Sequence, residues 1–276
     1  MKASPIVKWA GGKTKLLPRL MARAPARFRR YYEPFMGGAA LFFALEPAAA
    51  SIGDVNVALV TLYRAVASEL SEVIRVALAH KAEHAEVSYY YDVRRRWNDP
   101  TVRAAMSPAE IAGTFVYLNK TCFNGLWREN KSGGFNVPRG DYANPTIVDE
   151  DELRAAGAAL AKARITCGTF QDTTADAGSG DFAYFDPPYD PLSETSSFTS
   201  YAATPFGKKE QRALAEHARA LDARGVFVML SNNDTPLIRD LYDGFVIETA
   251  PCARSINSKA EGRGKVDEVI ITSRRA

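Results

Sequence analysis

Residues 182–189 place the strongest constraint on what this chain can fold into. Phe182-Ala183-Tyr184-Phe185 is an apolar run of strand type, and it leads straight into Asp186-Pro187-Pro188-Tyr189. Two successive prolines cannot donate ladder hydrogen bonds, and they hold the backbone extended. The run therefore reads as a short buried strand whose carboxyl end presents a carboxylate, the Pro187 carbonyl and an aromatic ring together. In an open α/β sheet, ligands bind at that end of the strands. Two acceptors suit a flat ligand carrying an NH₂ group, and the Tyr189 ring can stack on its face. A strand that simply ends in a proline turn would show the same four residues, so the rest of the chain has to decide.

The rest alternates between strands and helices. Short apolar runs at 31–35, 51–54, 165–167, 182–185, 226–230, 246–249 and 266–272 read as strands. Leu59, Leu62, Tyr63, Val66, Leu70, Val73 and Ile74 recur at helical spacing and predict one long helix over 57–78. Ser107-Pro108-Ala109-Glu110 is a capping box with proline at the first helical position, opening a helix through Leu118. Helices are also expected over 149–163 and over 206–223, the latter ending at Gly225. This order predicts an α/β fold, a Rossmann-like sheet with helices on both faces.

Two turns in that sheet carry chemistry. Residues 31–35, the turn Met36-Gly37-Gly38 and a helix through Leu45 form the strand, glycine turn and helix of nucleotide-type sites, without the full G-x-G-x-x-G pattern. Asp54 ends the next strand 17 residues beyond Gly37. An acid about 20 residues on is placed to accept hydrogen bonds from ribose hydroxyls. Lys8-Trp9-Ala10-Gly11-Gly12-Lys13-Thr14 superficially matches a phosphate loop. That motif needs a glycine where Val7 stands and an apolar strand before it, which argues against an NTPase. The two glycines still suit backbone approaching a ligand, with Trp9 and Lys13 on either side.

Between residues 80 and 145 the composition shifts. Tyr89-Tyr90-Tyr91, Arg94-Arg95-Arg96-Trp97, and then 119–142 mix aromatic, cationic and polar residues without a regular period. Long irregular stretches of this kind are often binding segments. Residues 190–206, with Phe198 and Tyr201, read as a mobile loop over the site, and 254–265 as a basic loop. Arg19, Arg23, Arg27, Arg29 and Arg30 read as a solvated basic face, and His80 and His84 as a solvated helix face. The net charge of +3 permits nucleic-acid binding without arguing for it. Cys122, Cys167 and Cys252 form neither a metal motif nor a disulfide framework, and no signal-type apolar core opens the chain, so a reducing cytoplasm and no metal are expected. No apolar run approaches membrane-spanning length, so no membrane partner is expected.

Taken together, the motifs resemble those of the DNA adenine methylase family of α-class N6-adenine methyltransferases. The matching residues are Lys8 to Lys13, Glu33-Pro34-Phe35, Asn124-Gly125-Leu126 with Arg128, Phe135-Asn136-Val137-Pro138, Asp186 to Tyr189, Arg254-Ser255-Ile256 and Lys265-Val266-Asp267-Glu268. They follow the family's order over nearly the whole chain. The resemblance implies a site-specific, adenine-specific DNA methyltransferase using S-adenosylmethionine and no metal, acting on double-stranded DNA at GATC, with a monomer favoured. It implies a catalytic domain of 1–79 and 146–276 and a smaller, mainly helical DNA-recognition insertion of 80–145. Trp9, Lys13, Phe35, Gly37, Asp54, Phe170 and Asp186 match cofactor-binding positions. Lys8, Asn124, Leu126, Arg128, Pro138 and Tyr142 match the DNA-reading surface, and Asp186, Pro187 and Tyr189 the catalytic group. There are departures from the family pattern: Arg139-Gly140-Asp141 moves a cation and adds an acid, Phe123 stands where a tyrosine is common, and Trp127 is unusual.

The residues themselves support that chemistry. An adenine amino nitrogen is a poor nucleophile because its lone pair is delocalised into the ring. Asp186 and the Pro187 carbonyl can accept its two protons and favour a pyramidal nitrogen, without any covalent enzyme intermediate. An enzyme of the same chemistry acting on RNA or a free nucleotide, and a binding module without catalysis, are the remaining alternatives. The intact Asp186 speaks against the second.

Overall fold

Seven strands, β1 (Tyr31–Glu33), β2 (Ala50–Asp54), β3 (Ala163–Cys167), β4 (Phe182–Phe185), β5 (Phe227–Asn233), β6 (Val246–Ala253) and β7 (Lys265–Thr272), form one sheet in the order β3-β2-β1-β4-β5-β7-β6. The structure is a computed structural model and describes residues 2–130, 132–192, 206–253 and 265–274, with backbone alone for 251–253, 265 and 266. Phe198, Tyr201 and most of the expected loop over the site lie outside the described residues, as does nearly all of the basic loop at 254–265. Neighbours from β3 through β5 run parallel, whereas β7 is antiparallel to both β5 and β6. The chain winds outward in one direction from β1 to β3 and in the other from β4. The carboxyl ends of β1 and β4 therefore flank a topological switch point, where open α/β sheets bind ligands.

Alternation along each strand divides the core. Tyr31, Phe182, Tyr184, Met229 and Ile270 point into one hydrophobic cluster, and Tyr32, Ala183, Phe185, Val228, Leu230 and Val269 into a second. The Leu17–Arg23, Ala40–Leu45, Val57–Ser68, Leu70–Ala82, Pro108–Thr121 and Glu150–Leu160 helices contribute to the first cluster, and the Lys208–Ala223 and Pro236–Leu241 helices to the second. Helices thus cover both faces, as the fold class required. The capping box at Ser107 forms as expected, with Glu110 Oε2 accepting from the Ser107 amide at 2.8 Å.

Several sequence expectations need correction. The helix expected over 57–78 is two helices, broken at Glu69 with φ −131° and ψ 32°. Both halves pack on the Pro108–Thr121 helix, but only the first also packs on β2 and β3, and the break lets each follow its own neighbours. His80 and His84 do not form a solvated face. His80 is held between Tyr89 OH (2.8 Å) and Thr114 Oγ1 (3.0 Å), and its burial lowers its pKa to about 4. Arg23 pairs with Glu248, and Arg30 with Asp176 at 2.7 Å, so the arginine-rich segment is only partly free.

The irregular stretch around Trp127 also differs from expectation, because Trp127 and Phe135 belong to the core. The Trp127 ring stacks on Phe115 (3.8 Å between centroids, 10° between planes) and on Phe135 (4.4 Å), with Trp97 edge-on at 5.5 Å. Burying a large aromatic ring is worth more than the polar sequence around it would indicate. Trp127→Ala is therefore expected to destabilise the protein by about 3–5 kcal/mol. Denaturant unfolding checks this; a change within about 0.5 kcal/mol is what a surface loop residue would give.

Candidate active site

β4 delivers Asp186 to the switch point as its side chain leaves the strand end. One carboxylate oxygen, Oδ1, is held twice: Lys13 Nζ lies at 2.9 Å, and Ser231 Oγ of β5 donates at 2.8 Å. Oδ2 accepts no hydrogen bond from the described residues, and neither does the Pro187 carbonyl. Burial raises the Asp186 carboxyl above the ordinary aspartate range, with Lys13 and Ser231 opposing the shift. The Lys13 ammonium also lies 4.6 Å from the centre of the Tyr189 ring and donates to the Gly11 carbonyl at 2.6 Å. Tyr189 OH donates to Glu268 Oε2 of β7 at 3.2 Å. The backbone of the tetrapeptide is fixed as well. Gln211 Nε2 donates to the Pro188 carbonyl at 2.8 Å, and the buried Asn232 and Asn233 side chains bond the Asp190 amide and carbonyl at 2.9 and 2.6 Å.

A second group of side chains gathers beyond β1 and β2. Asp54 accepts from the Gly37 amide at 3.2 Å and from the Asn56 amide at 2.9 Å, and burial raises its pKa. Gly37 has φ +43°, and a Cβ there would lie 2.7 Å from Trp9 Cδ1, so the turn needs glycine for both conformation and space. Tyr63 OH donates to the Gly37 carbonyl at 3.0 Å. Phe35 stacks with Phe170 at 5.8 Å and meets Phe206 edge-on at 5.6 Å. Trp9, Gly37 and Asp54 are thus joined at one turn, Phe35 pairs with Phe170, and Lys13 pairs with Asp186.

The six residues expected to read DNA lie on loops that are tied together. Asn119, fully buried, accepts from the Lys8 amide (2.9 Å) and donates to the Lys8 and Gly125 carbonyls (2.8 and 3.3 Å). Gly125, at φ +64°, has the Lys8 side chain where a Cβ would stand. Phe123 N donates to the Pro138 carbonyl at 2.9 Å and Asn136 N to the Arg128 carbonyl at 3.2 Å, so the Asn124–Arg128 and Pro138–Tyr142 segments run side by side. Arg128 is exposed. Its Nε donates to Asn136 Oδ1 at 2.8 Å, while its two terminal amino groups donate to none of the described residues. Arg139 reaches His84 Nε2 and its carbonyl at 3.3 and 3.4 Å. That departure from the family pattern therefore engages the supporting helices, while Asp141 is exposed.

Sequence reasoning missed Ser231, Tyr184, Glu33, Asn119 and the role of Glu268. All but Glu33 act across contacts between segments far apart in the chain. Glu33 had a local signal: it ends a buried strand next to the glycine turn. Its carboxylate accepts from Tyr31 OH at 2.8 Å and the Phe42 amide at 3.0 Å, and burial pushes its pKa up to about 8.

The strand order, the reversed seventh strand and the polar groups at the switch point define a Rossmann-like methyltransferase. Residues 9–256 match the D12 class N6 adenine-specific DNA methyltransferases, and the chain belongs to that family. It is 40% identical over 271 residues to the type II methyltransferase M1.LlaDCHI of Lactococcus lactis subsp. cremoris, spanning 98% of this chain and 95% of that protein. It is 38% identical over 281 residues to the type II methyltransferase M.MjaIII of Methanocaldococcus jannaschii, spanning 95% and 96%. It is 35% identical over 271 residues to a DNA adenine methylase of Vibrio cholerae, spanning 98% and 95%.

Glu33 gives the site a pH signature. In the unfolded chain it ionises near 4.5, and in the fold near 8. Between those values the folded state binds more protons, so stability falls as pH rises. The contribution is complete below about pH 4.5 and is lost through pH 8, on the order of 3–5 kcal/mol over the window. Glu33→Gln keeps a neutral side chain at every pH. Unfolding free energies at pH 5, 6, 7 and 8 are expected to fall less steeply for the variant than for the wild type; parallel curves would mean that Glu33 ionises normally in the fold.

Proposed function

We propose that this protein transfers a methyl group from S-adenosylmethionine to the N6 amino nitrogen of adenine in double-stranded DNA, at GATC. The observation that carries the reading is Asp186 at the end of β4, with one oxygen pinned while the other, like the Pro187 carbonyl, accepts from none of the described residues. These two acceptors match the two protons of an amino group and favour a pyramidal nitrogen whose lone pair can attack. The site residues also fit the donor. The Asp54 carboxylate suits ribose hydroxyls, the Phe35–Phe170 pair suits a purine, and the acids Asp54, Asp186 and Glu268, countered by Lys13, suit a positively charged ligand. When bound, S-adenosylmethionine supplies an electrophilic methyl group on a sulfonium. Trp9, Lys13, Phe35, Gly37, Asp54 and Phe170 bind and orient it, and Asp186 and Pro187 orient the amino group. Reaching Asp186 requires the adenine to leave the duplex stack at a cost of a few kcal/mol, and stacking on Tyr189 offsets about 1–3 kcal/mol of it.

Residues 80–145 are read as the DNA-recognition segment, with Lys8 joining from the N-terminal side. GATC follows from the resemblance of the Lys8, Asn124–Arg128 and Phe135–Pro138 motifs to those of DNA adenine methylases. A monomer working in the cytoplasm completes the reading. The test is methyl transfer from labelled S-adenosylmethionine to duplexes with and without GATC. Asp186→Ala is expected to reduce turnover below a few per cent while DNA affinity is kept. Label on RNA or free nucleotide but not on duplex would replace the substrate assignment.

Arg128 is read as the residue that recognises a guanine. Asn136 holds its Nε, and its two terminal amino groups remain available for a bidentate contact to a guanine edge, worth about 1–3 kcal/mol of discrimination. Arg128→Ala is expected to narrow the rate difference between GATC and singly altered duplexes at fixed ionic strength. Equal slowing on every duplex would make it a backbone contact.

A further inference from the structure

We infer that Ser231 is a positioning residue for Asp186: oriented by the buried Tyr184 hydroxyl, it pins one carboxylate oxygen and leaves the other for the target amino group. This rests on the reading of Asp186 as the carboxylate that meets that amino group.

The direction of the hydrogen bonds is fixed by counting protons. Ser231 lies on β5, paired directly with β4, and both Ser231 and Tyr184 are buried. Ser231 Oγ lies 2.8 Å from Asp186 Oδ1 and 2.8 Å from Tyr184 OH. A serine hydroxyl carries one proton, and an ionised carboxylate only accepts. The Ser231 proton is therefore committed to Asp186, and Tyr184 donates to Ser231. The relay runs one way, from the core to the site. Lys13 reaches the same oxygen at 2.9 Å, so both fixed donors sit on Oδ1 and none of the described residues donates to Oδ2. Such preorganisation places an acceptor before the substrate arrives, which is where electrostatic catalysis gains most.

The groups that face Asp186 are Lys13 from the N-terminal segment, Tyr31 and Glu33 from β1, Tyr184 on β4, Tyr189 beyond it and Glu268 from β7. Burial raises the Asp186 carboxyl and the Glu268 charge adds to that, while Lys13 and Ser231 act in the opposite sense. Removing the Ser231 hydroxyl leaves the raising influences less opposed, so the carboxylate holds its proton to higher pH.

Two measurements test this. Side-chain carboxyl NMR titration of the free protein reads the Asp186 midpoint without cofactor or DNA. The pH profile of kcat on duplex DNA reads the consequence. Ser231→Ala is expected to raise the midpoint by about one pH unit and to move the acid limb of kcat upward by a similar amount. It is also expected to lower kcat at neutral pH about tenfold or more, with KM for DNA and cofactor within about twofold of wild type. Tyr184→Phe is expected to shift the midpoint in the same direction by less, and it decides alone if Ser231→Ala does not fold. An Asp186 midpoint and acid limb that stay in place overturn the inference, even if kcat falls, because packing alone would then explain Ser231. An Asp186→Ala protein that keeps its turnover overturns the catalytic reading and this inference with it.

Discussion

A carboxylate at the end of a buried strand loses its water, and the loss costs several kcal/mol unless donors replace it. Asp186 is in that position, and much of the structure around the switch point supplies the replacement. The donors come from opposite ends of the chain: Lys13 from before the sheet begins and Ser231 from β5. Glu268 of β7 joins through Tyr189, at the far end of the same tetrapeptide. The two prolines between Asp186 and Tyr189 keep the acid and the ring at a fixed separation, so a donor to one constrains the other. The bonds from Gln211, Asn232 and Asn233 then immobilise the backbone that follows.

Residues 8–13 connect this centre to the rest of the proposed machinery. Lys8 is gripped by Asn119 and lies against Gly125, Trp9 lies against Gly37, and Lys13 reaches Asp186. Six consecutive residues thus touch the loop read as DNA-recognising, the turn read as cofactor-binding, and the carboxylate read as catalytic. The glycines at 11 and 12 let the segment bend between these anchors, which explains a motif that resembles a phosphate loop without being one. The same arrangement links the loop to the core. Trp127 is stacked on Phe115, Phe115 also meets Trp9, and the loop tip is therefore carried on a continuous aromatic stack.

Much of the fold was legible in the sequence because it depends on local patterns. Apolar runs marked the strands, the Ser107 capping box marked a helix start, and the proline pair marked the end of β4. The order of those elements then left few sheet topologies open. Asp186, Asp54 and the Gly37 turn were visible for the same reason: each follows a strand within a few residues. The break at Glu69, the burial of Trp127 and His80 and the pairing of Arg30 with Asp176 were not visible. A periodic stripe does not say which neighbour it packs on, and a polar stretch does not say which of its rings find a partner.

The sequence by itself determined the class of sheet and the identity of the groups at the end of β4. Strand propensity, proline geometry and the family's motifs are properties of adjacent residues. Only the tertiary structure decided how those groups are held: which oxygen of Asp186 is pinned, that the Tyr184 and Ser231 hydroxyls meet, that Asn119 bridges residues 8 and 125, and that Asn136 holds the Arg128 fork. Those contacts join residues separated by 6 to 173 positions, and no local pattern encodes such pairs. They arise because strands that are distant in sequence become neighbours in the sheet, and a buried polar group must then find its partner across that gap.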